Sequence, residues 1–117
     1  MPKRRLYSHV FYKEADSATA TYVRGQRVPT GYILYVTHAC VEDEDTQNCE
    51  LAFGKFIDER FVPFEEVRNQ PSGVRWNTAN THHFNAHEQP CFRVEGATLG
   101  DKIRGYAEGY FIEAEDV

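Results

Sequence analysis

Apolar residues in this chain recur at every second position, in short runs, and almost nowhere at the three-and-four spacing of a helix. Gly, Pro, Asn and Asp clusters bound the runs, which is turn chemistry between strands. "LYSHVFY" (Leu6 to Tyr12) alternates weakly, and "SATATYVR" (Ser17 to Arg24) sets Thr19, Thr21 and Val23 against Ala20 and Tyr22. After the turn Val28-Pro29-Thr30-Gly31, the stretch Tyr32 to Val41 is apolar on both parities, with Leu34 and Val36 on one face and Ile33, Tyr35 and Val41 on the other. Such a strand is covered on both sides, by its own chain or by another. "CELAFGKFI" (Cys49 to Ile57) follows as a strand, and "DERFVPFEEVRNQPSG" reads as a long connection interrupted by Pro63 and Pro71. "VRWN" is a short strand candidate, and "CFRVEG" points Phe92 and Val94 inward.

The last run, "KIRGYAEGYFIE", has two distinct faces. Ile103, Gly105, Ala107, Gly109 and Phe111 share the inward side, and Lys102, Arg104, Tyr106, Glu108 and Tyr110 share the outward one. Glycine weakens a strand unless something approaches closely. The expected visitors are bulky side chains of the facing sheet, Trp76 or the phenylalanines. Seven or eight such strands with turns between them predict an all-β fold, a single antiparallel β-sandwich of jelly-roll type. Residues 1–16 are the least regular and read as an N-terminal arm or edge strand, leaving 17–117 as the sandwich domain.

A chain of 117 residues, 41% hydrophobic and 14% aromatic, fills one domain and is too apolar to be disordered. Its net charge of -5 is the wrong sign for a phosphate backbone, so no nucleic-acid partner is expected. No run approaches the roughly 20 apolar residues of a membrane helix, so no membrane partner is expected either. The start, "MPKRRLYSHVFYKEAD", lacks the apolar core of a signal peptide, so the chain is expected to be made in a reducing cytosol. Three cysteines, an odd count, fit free thiols better than a disulfide framework. Cys40 and Cys49 would face each other across a symmetric hairpin. That register permits a bridge without requiring one, and two buried thiols are the expected state.

The densest candidate chemistry is "THHFNAHEQPCF", with His82, His83, His87, Glu88 and Cys91. Imidazole with carboxylate or thiolate suits zinc, provided the ligands converge. Here Asn77, Asn80, Asn85 and Pro90 favour turns over helix, and adjacent His82 and His83 point to opposite sides of a strand. That also departs from the His-x-His of a cupin. His82, His83 and His87 are therefore marginal metal candidates, no cofactor is expected, and Cys91 lacks the orienting turn of a nucleophile. The acidic run Glu42 to Asp45 lacks EF-hand spacing and reads as a solvated hairpin tip facing water or a basic partner.

Taken in order, "VPTGYILYV", a polar tip, a Pro-interrupted connection and the closing "FRVEGATLGDKIRGYAEGYFIE" resemble the small β-sandwich virion proteins of tailed bacteriophages, which decorate heads or sit as accessories on capsid or tail. The resemblance covers about residues 28 to 112. It implies a non-enzymatic structural role with no catalytic residue, synthesis in the host cytoplasm and residence in the virion. It also implies contacts with capsid or other virion proteins, and homo-oligomerisation with a trimer favoured. Tyr106 and Tyr110, with Tyr32 or Tyr35, become the interface candidates, and Arg4 and Arg5 (with Lys3) would meet an acidic capsid surface. Two other functions compete. A carbohydrate-binding module would use Trp76 and the tyrosines as a platform. A cupin-like metal-dependent enzyme would use His82, His83, His87 and Glu88.

Overall fold

The computed structural model describes residues 4–17 and 19–114. Nine strands follow one another: β1 (Arg4–Glu14), β2 (Ala20–Arg24), β3 (Tyr32–Asp43), β4 (Cys49–Ile57), β5 (Arg60–Gln70), β6 (Trp76–Asn77), β7 (His82–Phe84), β8 (Gln89–Glu95) and β9 (Lys102–Glu113). They form two antiparallel sheets. One runs β1-β9-β3-β6, with β7 also paired to β3, and the other runs β2-β8-β4-β5. Apart from β4–β5 and β6–β7, successive strands pass from one sheet to the other, and the orders β1-β9-β3-β6 and β2-β8-β4-β5 are those of a jelly roll. The expected all-β sandwich is therefore present. Among the described residues no helix is long and apolar enough to cross a membrane.

The core lies between the sheets and is built on phenylalanine. Phe11 and Phe84 from the five-stranded sheet meet Phe92 and Phe53 from the other at 5.0 and 5.8 Å between ring centroids, while Phe53 and Phe92 pack side by side at 4.9 Å. All four are buried, along with Leu34, Val36, Leu51, Val94 and Ile103. Each such ring contributes roughly 2–3 kcal/mol by leaving water. The small inward face of β9 has the predicted cause at Gly105, where a Cβ would stand 2.9 Å from the Phe92 ring. At Gly109 the visitor is backbone instead. A Cβ there would lie 1.8 Å from the Tyr35 carbonyl oxygen, because β3 bulges between Val36 and His38.

That bulge also corrects the expected faces of β3. One extra residue reverses the parity of everything beyond it. Val41 consequently joins Leu34 and Val36 in the core, opposite Gly105, and does not share a face with Tyr35.

Two further expectations change. The segment read as a long connection is mostly the eleven-residue strand β5, an edge strand that tolerates Pro63 because one side has no ladder partner. Cys40 and Cys49 do not face each other across a hairpin, because β3 and β4 belong to different sheets. Cys40 pairs with Tyr106 and Cys49 with Gln70, and all three cysteines are free and buried. Of the two readings of residues 1–16, arm or edge strand, residues 4–14 take the second, forming the edge strand β1 in register with β9 throughout.

Candidate interaction surface

The outward side of the five-stranded sheet carries rows of side chains that cross several strands. Pairing sets Leu6 opposite Tyr110, Tyr110 opposite Tyr35, and Tyr35 opposite His83, so one row spans β1, β9, β3 and β7. Tyr35 and Tyr110 stack at 5.3 Å, and the Arg4 guanidinium lies 4.4 Å above the Tyr110 ring. A second row sets Val10 beside Tyr106 and Tyr106 beside Cys40. Its far end is charged, with Arg104 held to Glu44 at 3.0 Å and Arg75 near Glu42 at 3.7 Å. Leu6 is 94% exposed, Val10 73% and Tyr12 53%, all on one face of β1. Large apolar side chains gathered on one face, rather than scattered, make this face the candidate interaction surface.

Four of the six predicted contact residues thus come together: Arg4, Tyr35, Tyr106 and Tyr110. Arg5 and Tyr32 belong to the opposite side of the sheet, at the open flank of the sandwich, where the Arg5 guanidinium donates to the Tyr32 hydroxyl at 3.4 Å. They line a groove of about 360 Å³ between β1 and residues 26–29. Tyr7 stands in that groove edge-on to Phe111, its buried hydroxyl without a partner among the described residues, and burial pushes its pKa up to about 12. Lys3 lies outside the described residues. Leu6, Val10 and Tyr12 escaped the sequence reading because "LYSHVFY" is apolar on both parities. Strand pairing assigns Tyr7 and Phe11 to the sandwich side and leaves Leu6, Val10 and Tyr12 outside.

The histidines diverge. His82 faces inward and meets Glu65 Oε2 at 2.6 Å, with the Phe64 ring stacked on it at 4.7 Å. Burial would raise the Glu65 pKa, but the amides of Ala79 and Asn80 together with His82 outweigh it and hold it low. His83 points out, beside Tyr35. His87 sits in a turn at φ 72° and contacts the Thr30 hydroxyl at 3.2 Å. Glu88 is bound by Lys55 at 2.7 Å and accepts from the Asn85 amide. The three histidines thus meet different neighbours, and among the described residues they form no common centre. Trp76, the proposed sugar platform, packs against the core, and Arg4 covers one face of Tyr110.

The acidic run departs from the expected solvated tip. Asp43 turns inward and is 3% exposed, accepting from the amides of Asp45 and Thr46, and it lies beside Asp101. Burial, then its carboxylate neighbour, raises the Asp43 pKa. Burial acts the same way on Asp101, but the Thr46 hydroxyl and Thr98 amide overcome it and hold that carboxyl low. The pair closes the β3–β4 and β8–β9 turns against each other.

No family model matches the chain, and no curated protein matches it. Among solved structures, a chain from "Structure of infectious bursal disease virus Gx strain" superposes with a TM-score of 0.45 and 10% identity over 98% of this chain. This chain spans 34% of that one, and at such a score and identity the likeness assigns no family.

Proposed function

We propose that the protein is a non-enzymatic structural subunit of a virion, decorating or cementing a capsid or serving as a head or tail accessory. The observation that carries the assembly role is the outward face of the five-stranded sheet, where Leu6, Val10 and Tyr12 stand in water beside Tyr35, Tyr106 and Tyr110. Tyrosine offers broad contact area at low entropic cost, and Arg4 supplies a positive rim for an acidic neighbour. The dispersal of His82, His83 and His87 supports a chain that works through its surface. The virion setting rests on the sequence resemblance over residues 28 to 112.

The test is co-sedimentation with shells assembled from the coat protein encoded by the same genome. The wild-type protein is expected to pellet with the shells and Y35A/Y110A to remain in the supernatant with unchanged circular dichroism. A protein that never pellets, at any ratio to coat protein, overturns the reading.

A further inference from the structure

The outer strands differ in how they are guarded against pairing. Short strands, prolines, charges and bulges are the usual guards. β2 is five residues long, and β6 and β7 are two and three. β5 is long but carries Pro63, Glu65, Glu66 and Arg68 and shifts register twice against β4. β1 has none of these along its middle, and its charges lie only at its ends. It runs eleven residues in unbroken register with β9, its middle from Leu6 to Tyr12 contains no proline or carboxylate, lysine or arginine, and among the described residues its backbone bonds only to β9.

We propose that β1 pairs with β1 of a second copy, antiparallel about a two-fold axis through His9, so that two five-stranded sheets become one continuous sheet. This names a partner for the assembly reading above and rests on it. The register follows from the sequence of the strand. With the axis at His9 all eleven residues are paired. Leu6 then meets Tyr12 of the second copy, Val10 meets Ser8 of the second copy, and Arg4 meets Glu14 of the second copy. On the sandwich side Tyr7 meets Phe11 of the second copy. Arg5 meets Lys13 of the second copy, a cation already held by Asp16 at 2.9 Å, so the approach is to an ion pair and not to a lone charge. Moving the axis to Val10 sets Leu6 against Glu14, and moving it to Ser8 sets Lys13 against Lys3 and Glu14 against Pro2, which lie outside the described residues. The charges at the strand's ends thus select the His9 register, and the exposed apolar face of β1 supplies the contact. The contact is isologous, so it makes dimers and not the trimer that the resemblance implied.

Sedimentation velocity of the full chain at micromolar concentration tests this. A dimer is expected, and L6K and V10K are each expected to be monomeric with unchanged circular dichroism, since both side chains point into solvent. R4E and E14R should each weaken the dimer about tenfold, as two symmetry-related pairs turn from attraction to repulsion, and the double reversal R4E/E14R should recover it. Under mild oxidation H9C should form a reducible covalent dimer, while V10C should not. A monomer at 100-fold higher concentration, a dimer indifferent to L6K and V10K, or crosslinking through V10C in place of H9C overturns the pairing. A chain that is monomeric yet pellets with shells sinks this contact alone. A dimer that crosslinks through H9C but never pellets sinks the virion reading alone.

Discussion

Single residues carry several of the fold's sharpest constraints. Gly109 and Gly31 make a useful contrast. A methyl group at Gly109 would collide with the Tyr35 carbonyl, and backbone at a bulge in a central strand cannot step aside. At Gly31 there is open space, and only the positive φ of 88° penalises a side chain. G109A should cost about 3 kcal/mol or prevent folding, and G31A about 1 kcal/mol, as read by urea unfolding. The Asp43–Asp101 pair gives a pH signature. Asp43 titrates above its ordinary 3.8 in the fold, so its contribution is full in acid and is lost as pH rises through the folded value. Replacing it with Asn keeps the acceptor for Asp45 and Thr46 but removes the second buried charge. D43N should match the wild type near pH 3 and exceed it at pH 7 by on the order of 1 kcal/mol. The thiols follow the same logic of burial. Burial, and at Cys49 the adjacent Asp43, pushes Cys49 and Cys91 up to about 12, and burial also raises Cys40. None should react with a disulfide reagent at pH 8 until the protein is unfolded, and fast labelling of the native protein would contradict this.

Between elements, the Glu65–His82 contact is the clearest tie across the sandwich. β5 belongs to one sheet, and the β6–β7 connection to the other. Glu65 accepts from His82 and from the amides of Ala79 and Asn80, fastening the short strands β6 and β7 that two or three ladder pairs alone would hold poorly. The folded carboxyl titrates below its ordinary 4.5, so its stabilisation is complete above that value and disappears as pH falls through the folded one. E65Q should cost about 2 kcal/mol at pH 7, with the two stability curves converging below pH 4. This tie was invisible in the sequence because Glu65 lies in a segment whose two prolines read as a connection. Alternation did reveal most of the other strands, and both faces of β9 were legible residue by residue, because that strand is regular from Lys102 to Glu113. Legibility failed where the chain breaks period. The bulge after Val36 moved Val41 into the core, and the passage of β3 and β4 into different sheets separated two cysteines that spacing alone placed together. The candidate contact surface was half legible. Tyr106 and Tyr110 could be assigned from β9 itself, and the alternation of β3 sets Tyr32 with Leu34 and Val36 on the inward side, whereas Arg5 and the exposed side of β1 depended on which strand each lies against.

For the whole molecule, the decisive feature is that the first and last strands are neighbours. β9 lies between β1 and β3, so the five-stranded sheet has no centre until residues 102–113 have joined it. A chain ending at Asp101 should therefore show no cooperative unfolding, since Phe11, Leu34 and Val41 would lose the strand that lies between their two strands. The same adjacency makes the order of the strands dispensable while their presence is not. Arg4 pairs with Ile112, so the two ends of the described chain lie side by side. A permutant that joins the termini through a short Gly/Ser linker and opens between Ser72 and Gly73, in the exposed β5–β6 turn, turns the most distant pairing in the sequence into a hairpin. Loop closure would then no longer have to span the whole chain before β1 and β9 meet. The permutant should keep the wild-type circular dichroism, lie within about 2 kcal/mol in stability and refold faster in stopped flow. Refolding at the wild-type rate would mean that β1 docks after the rate-limiting step, as expected of an edge strand with a partner on one side only.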